Sequence, residues 1–363
     1  MRREEEEFYR SALSRLSLDD MNRESLRGGG IPYEYSIRAL CVFFRKVAIR
    51  LGFMDENGLP AGPILLGVSG GGDSMALMWF FHTFYSGHII AAHLEHGIRG
   101  ADSAEDALHV KKYADVWGVD TEIFHADVPS LLKKGESLEA GARRIRYDFF
   151  ERAAKKHGAW GVALGHNMED EAETVLFNLL RGGGVLGAGG IPERRGIFFR
   201  PLLSLKREFL RGILRCRGIE WRYDKTNADT NYTRNFIRNN LMPMIESNIN
   251  ARASEHLANF ARDMRELGDE EKEKGDALLL ELEVAGTDAL TIDRRAMRNL
   301  DSKKLPLLIR AAGRKILAPV LSRRQCLKLS MLCAEGKPFT FQWGGDVTVS
   351  GTHNEVAFRR ISP

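Results

Sequence analysis

The sequence predicts an α/β protein, a parallel doubly wound sheet followed by a smaller C-terminal α+β domain. Three observations carry that expectation. Short apolar runs alternate with helical stretches between residues 64 and 180. The first run ends in three consecutive glycines, Gly70 to Gly72, that lead into an amphipathic stretch. Beyond Ala251 the alternation stops, helical character takes over, and the chain closes in short alternating segments. Strands alternating with helices indicate a parallel sheet covered on both faces.

Residues 1–30 mix acidic and basic side chains and end in Arg27-Gly28-Gly29-Gly30, the composition of a flexible extension. The opening MRREEEEFYR has no apolar core of the kind a secretory signal needs. Apolar spacing predicts a helix from Tyr35 to Leu51, and Gly58 to Pro63 read as a turn. Strands are expected at Ile64–Val68, His88–His93, Thr121–His125 and Gly161–Leu164. Helices are expected at Ser74–Tyr85, Ser103–Trp117, Leu138–His157 and Glu169–Leu180. Residues 31–250 thus form one expected domain. Residues 251–363 form a second, helical and then β, with strands at Phe339–Trp343, Val347–Val349 and Glu355–Arg359.

Composition narrows the function classes. At 44% hydrophobic and 28% charged residues the chain is of ordinary globular type, and it holds no apolar run of about 18 residues, so no membrane partner is expected. Cys41, Cys216, Cys326 and Cys333 are scattered without a C-x-x-C pair, which disfavours a zinc knuckle, an iron–sulfur cluster or a disulfide framework and fits a cytoplasmic location. Net charge is only +4, but residues 194–238 hold 12 Lys/Arg against 4 Asp/Glu, and 301–328 hold 8 against 1. Two basic zones in a nearly neutral chain point to a polyanion partner, although basic helix faces are also commonly just solvated.

The sharpest local signal is ILLGVSGGGDSMALM at 64–78. Gly70, Gly71 and Gly72 let backbone N–H groups approach an anion, and the helix N-terminus adds free donors and partial positive charge. Ser69 and Ser74 can donate hydroxyl hydrogen bonds. Asp73 cannot favour a phosphate directly, so it binds Mg²⁺ or caps the helix. The Gly-Lys-Ser/Thr ending of a Walker loop is missing. The hexapeptide Ser69–Ser74 resembles the pyrophosphate loop of adenylating ATP pyrophosphatases, which cleave ATP between the α and β phosphates. In that fold the second strand ends beside adenine, here around Ala92 and His93.

Two further segments carry chemistry. In GHNMEDEAETVLFNLLRGGG at 165–184, His166, Asp170 and Glu173 share one helix face just after the fourth strand. Carboxylates there can hold Mg²⁺ or grip the ammonium of an amine; the alternative is an acidic first turn favoured by the helix dipole. In SLEAGARRIRYDFF at 137–150, Glu139, Arg143 and Arg146 share a face. They form intrahelical ion pairs, or the arginines meet a phosphate or carboxylate.

With these segments on the page, the chain resembles the tRNA(Ile)-lysidine synthetases. The resemblance runs through SGGGDS at 69–74, HGIRGADSAED at 96–106, SLEAGARRIRY at 137–147, the 165–184 segment, RPLLSLKR at 200–207 and DKTNADTNYTRNFIRNNLMP at 224–243. It covers about residues 62–250 in order, and Asn227, Arg234, Asn235, Arg238 and Pro243 separate it from general pyrophosphate-loop enzymes. Glu95 departs from the usual Asp or Asn before His-Gly, and residues 1–30 have no counterpart. The resemblance implies an adenine nucleotide α-hydrolase-like fold and a two-step ligase. A ring carbonyl oxygen of the wobble cytidine in the CAU anticodon of an isoleucine tRNA attacks the α-phosphate of ATP. L-lysine then displaces AMP.

In those roles Ser69 to Ser74 cradle pyrophosphate, and Asp73, with Asp170, holds Mg²⁺. Asp170 and Glu173 alternatively fix the lysine ammonium, and His166 takes a proton from the amine. Arg143, Arg146 and Arg181 contact the α-phosphate or the tRNA backbone, and Arg234 and Arg238 contact tRNA. A homodimer enters by family analogy alone. The rivals are a tRNA thiolase, which needs reactive or cluster-binding cysteines, another adenylating ligase, and a non-catalytic RNA-binding protein, which has no use for an ATP loop.

Overall fold

The structure is a computed structural model that describes residues 36–95, 101–223, 233–284 and 289–360. Expectations placed on residues 1–30, 96–100 and 224–232, Asn227 among them, lie outside the described residues. The chain divides into two compact units, 1–177 with 190–259, and 178–189 with 260–363. The first spans most of the expected 31–250 domain. Residues 178–189, expected there, group instead with the second unit.

Among the described residues the first unit begins with α1 (Ile37–Leu51), capped by the Ser36 hydroxyl accepting from the Ala39 N–H and closed by Gly52 at φ 79°. There follow β1 (Ile64–Gly67), α2 (Gly72–Phe84), β2 (Ile89–Glu95), α3 (Ala101–Trp117), β3 (Asp120–His125), α4 (Leu138–Lys156) and β4 (Gly161–Leu164). The α-helix α5 (Met168–Leu180) comes next, then the two-residue strands β5 (Arg194–Arg195) and β6 (Phe198–Phe199), α7 (Arg207–Arg217), α8 (Thr233–Phe236) and α9 (Met242–Asn248); α6 (Val185–Ala188) lies in the stretch that groups with the second unit.

The six strands lie in the order β3-β2-β1-β4-β6-β5. All neighbours are parallel except the β5–β6 pair. The doubly wound parallel sheet expected from the sequence is thus present, with a short β6–β5 extension. The residues of β1 explain the two covered faces. Ile64 and Leu66 join one apolar cluster with Phe44, Phe80, Phe81 and Phe84, whereas Leu65 joins another with Ile145, Phe149 and Phe150 of α4. A strand buried on both faces has no reason to alternate polar with apolar residues, and ILLG does not. The aromatic rings of α1 and α2 interlock, Phe44 meeting Phe81 edge to face at 5.3 Å between centroids.

The strand order decides where a ligand can enter. From β1 the chain winds outward through β2 and β3, then returns to place β4 on the other side of β1. The loops leaving β1 and β4 therefore diverge over the C-terminal edge of the sheet and leave a crevice. At its base the two connections touch. A Cβ on Gly165 would stand 3.0 Å from the Asp73 carbonyl oxygen, so a side chain there would push the two connections apart by a few tenths of an ångström.

In the second unit an antiparallel sheet runs β7-β8-β11-β10-β9, with β7 (Glu283–Val284), β8 (Leu290–Asp293), β9 (Phe339–Gly344), β10 (Val347–Gly351) and β11 (Glu355–Arg360). The last three match the expected segments. β8 was not anticipated, because four residues carry too little alternation to announce a strand. After α10 (Ala253–Leu282), helices α11 (Arg294–Asn299), α12 (Lys304–Lys315) and α13 (Arg323–Glu335) supply Met297, Leu308, Ile309 and Leu329 to a core shared with Val349, Val356 and Phe358.

Candidate active site

The loop after β1 folds around its own hydroxyls. Gly70 adopts φ 86°, a left-handed conformation that a side chain resists. Ser74 Oγ donates to the Gly71 carbonyl at 2.9 Å and accepts the Ser69 N–H at 3.1 Å. Ser69 Oγ sits 3.2 Å from Ser74 Oγ. Gly71, extended at φ −74°, caps α2 without a side chain. The amide donors at this helix N-terminus are thereby left for an anion.

Facing the loop, α5 begins directly after β4. Asp170 and Glu173 are buried, at 8% and 2% exposure. Three arginines surround them. Arg238 reaches Asp170 Oδ1 at 2.6 Å and Glu173 at 2.7 and 2.8 Å. Arg207 stands 3.4 Å from Asp170 and 3.3 Å from Glu173, and Arg234 stands at 3.8 and 3.5 Å. Burial alone would raise the Asp170 carboxyl, but Arg238, Arg207 and Arg234 hold it below the usual carboxylate range. Burial also works against the charge on Arg238, and Glu173 and Asp170 more than reverse this.

Arg238 owes its place to a local irregularity. Ile237–Leu241 forms a π turn, the Met242 N–H returning to the Ile237 carbonyl, just before Pro243 opens α9 (Met242–Asn248). Proline has no N–H to continue the regular ladder, and such turns recur where a helix must re-aim side chains.

Asp73 behaves differently. Burial and then the Asp170 charge push its carboxyl up to about 6, and Arg207, 3.8 Å away, only partly offsets them. Its Oδ1 is buried without a hydrogen-bond partner. Burial likewise lowers the His166 imidazole to about 4, with Arg200, Arg234 and Arg143 adding to the fall against Asp170. His166 is therefore neutral near pH 7, and its Nδ1 is buried and unpaired.

These groups line one cavity of about 870 Å³ within the first unit. Of the residues singled out from the sequence, it gathers Ser69, Gly71 to Ser74, His93, Arg143, Arg146, His166, Asp170, Arg234 and Arg238. Glu173 lies beneath, bonded to Arg238. Gly70 lies at its edge, with its carbonyl taken by the Arg222 N–H at 2.9 Å. Ala92 is in the sheet, fully buried, its carbonyl accepting from Val68, while His93, Leu94 and Glu95 reach the cavity. His93 Nδ1 is tied to the Val68 carbonyl at 2.9 Å. Arg143 stacks over Tyr147 at 4.9 Å. Arg181 is exposed and belongs to the second unit.

The PP-loop domain family matches residues 45–245 of this sequence. The chain belongs to that family. Its relatives include proteins named tRNA(Ile)-lysidine synthase. That of Thermotoga sp. is 42% identical over 187 residues, 50% of this chain and 45% of that one. Those of Thermus thermophilus and Clostridioides difficile are 41% and 34% identical over 60% of this chain, and cover 41% and 48% of their own lengths. The chain therefore spans about half the length of these relatives. The solved structure of the U34-tRNA thiolase NcsA from Methanococcus maripaludis with its 4Fe-4S cluster is 16% identical, with a TM-score of 0.51 over 63% of this chain and 78% of that one. It shows the PP-loop fold alone.

Sequence reasoning missed several residues of this PP-loop site. Arg207 and Arg211 of α7 line the cavity, as do Asp106, Trp221 and Arg222. Arg211 Nε is buried and unpaired, and Arg211 lies close enough to Asp73 to lower its carboxyl. The basic zone 194–238 was the available signal, but it did not say which arginines turn inward. No cysteine is among the lining residues, and burial pushes the Cys333 thiol up to about 12. Among the described residues no helix is long and apolar enough to cross a membrane.

Proposed function

We propose that the protein is an ATP-dependent ligase that joins L-lysine to the wobble cytidine of an isoleucine tRNA with a CAU anticodon, through an adenylated base, with release of AMP and pyrophosphate. One observation carries the reading. A glycine phosphate loop and Asp170, backed by Glu173 and ringed by arginines, meet in a single cavity at the switch point of the sheet. The name borne by the relatives, tRNA(Ile)-lysidine synthase, supports an isoleucine tRNA as acceptor and, through the product it names, lysine as nucleophile.

The residues divide the work as follows. The Ser69–Ser74 loop receives the β and γ phosphates, and Arg143, Arg146 and Arg211 offset charge near the α phosphate. The cytidine carbonyl oxygen forms a bond to the α phosphorus as the bridge to pyrophosphate breaks. An unpaired loop base can leave its stack at modest cost. The amine of lysine then attacks the activated ring carbon, and AMP leaves. Neutral His166 accepts the proton the amine sheds. Asp170 and Glu173 take the lysine ammonium, which exchanges with part of the arginine ring.

Asp73 fits a Mg²⁺ ligand. Its Oδ1 is buried and unpaired beside the phosphate loop, and Mg²⁺ is commonly held by one or two carboxylates with phosphate oxygens and water. Asp170 fits less well, since Arg238 already occupies its Oδ1 at 2.6 Å. Mg²⁺ at this position offsets negative charge on the phosphates. In the second unit, exposed Lys303, Lys304, Arg323, Arg324 and Lys328 supply cations for tRNA phosphates. Binding through them weakens steeply with salt.

The test is incubation of the protein with ATP, Mg²⁺, isoleucine tRNA and labelled lysine. Label in tRNA, matched by pyrophosphate and AMP release, is the expected result. Pyrophosphate release without lysine incorporation sinks the assignment in favour of a thiolase or another ligase. Tight tRNA binding with no ATP turnover leaves a non-catalytic binder.

A further inference from the structure

The segment that follows α7 has no role in the chemistry above, yet it crosses directly over the phosphate loop. α7 ends at Gly218, φ 66°, and Ile219 inserts into the core of the first unit. The next three residues are each held in place. The Glu220 N–H donates to Tyr113 Oη at 2.8 Å, and the Glu220 carbonyl lies 3.1 Å from His109 Nε2. The Arg222 N–H donates to the Gly70 carbonyl at 2.9 Å. The Arg222 guanidinium bridges Asp106 at 3.0 Å and Glu105 at 2.7 Å. The Trp221 indole lies against Gly72, where an added Cβ would meet its ring at 3.4 Å. Tyr223 then opens to solvent at the cavity rim.

We propose that Ile219–Tyr223 is a strap that holds the phosphate loop in its anion-accepting shape, with Trp221 and Arg222 as positioning residues for the ATP phosphates. Gly70 is the loop residue with positive φ, and its peptide could turn over at little steric cost. Turning it would swing its carbonyl, an acceptor, toward the phosphate position. The Arg222 N–H fixes that carbonyl on the outer side. The bridge to Glu105 and Asp106 fixes Arg222 to the first turns of α3, and the Trp221 ring limits how far Gly72 can lift. Arg222 is spent on two carboxylates, so it acts through the loop and not as a phosphate ligand. A preorganised donor set binds without an ordering cost at the moment of binding.

The proposal rests on reading Ser69–Ser74 as the ATP loop, and on nothing about the acceptor. Its test is therefore MgATP binding and ATP turnover by the full chain. Arg222→Ala is expected to raise KM for ATP by roughly tenfold with kcat within about twofold, and Arg222→Lys to restore most of that loss. Glu105→Gln removes one exposed anchor without touching the core and shifts KM in the same direction by about threefold. MgATP should also change tryptophan emission in the wild type, and Trp221→Phe should remove that change. Unaltered KM in Arg222→Ala and Glu105→Gln, while wild type binds MgATP, overturns the strap alone. A wild-type chain that does not bind MgATP overturns the loop reading beneath it. MgATP binding with strap effects but no lysine incorporation leaves the strap standing and defeats the ligase assignment.

Discussion

Two arginines, Arg294 buried in the second unit and Arg238 partly buried in the first, are satisfied in opposite ways. In the second unit Arg294 is fully buried and has neutral partners. It donates to the carbonyls of Cys333 at 3.1 Å and Leu332 at 2.6 Å and to that of Thr352, and it lies 5.1 Å over the Phe339 ring. In the first unit Arg238 is held by two buried carboxylates and shares them with Arg207 and Arg234. Arg294 staples one helix end to one strand turn and leaves nothing for a ligand to exchange with. The Arg238 cluster holds more ionic partners than one salt bridge needs, inside a cavity with unpaired atoms on Asp73 and His166. Surplus charge of exchangeable pairing marks a site, whereas a saturated buried charge marks a scaffold.

The comparison can be broken by substitution. Replacing Arg294 with Met takes the guanidinium donor from three carbonyls, that of Cys333 buried, and a loss of about 3 kcal/mol in urea unfolding is expected. KM for ATP should stay within about twofold; a large change in KM with little loss of stability would remove the scaffold reading. Asp73→Asn should lower ATP-dependent turnover by about 100-fold while changing stability the other way. An acid raised from 3.8 to about 6 binds more protons folded than unfolded between those values. It therefore destabilises increasingly as pH rises from about 4 to about 6. The Asn variant should lack that slope and be more stable at pH 7, measured by thermal melts across pH. In the wild type, kcat/KM for ATP should rise with pH through about 6 as the free carboxyl ionises.

The smallest effect is expected at Arg238. Arg207 and Arg234 remain to pair with Asp170 and Glu173, so Arg238→Gln should cost about 2 kcal/mol of stability. If the acid pair receives lysine, KM for lysine should move more than KM for ATP. Equal shifts in both would argue that Arg238 serves the phosphates instead.

Much of the fold was legible in the chain order of apolar runs. β1, β4, α4 and α5 begin within a residue or two of their expected positions, because buried strands and glycine breaks leave strong local signals. β5, β6 and β8 were not, because two to four residues pair only when a partner strand is already present. The phosphate loop was readable because its glycines and hydroxyls act locally, through backbone geometry over six consecutive positions. Arg207, Arg211, Trp221 and Arg222 were not, since their partners Asp73, Asp106 and Gly70 lie more than 100 residues away in sequence.

By itself, then, the sequence determined the alternating architecture, the Ser69–Ser74 loop and the shared face of Asp170 and Glu173, all set by contacts within one turn or one strand–helix junction; His166, expected on that face, lies in the connection before α5. Only the tertiary structure decided what those acids face. The crossover that sets β4 beside β1 brings α5 opposite the loop, and the π turn before Pro243 and the start of α7 bring three arginines onto Asp170 and Glu173. Charge pairing of that kind depends on distance in space and on exclusion of water, and neither is written in the spacing of residues along a chain.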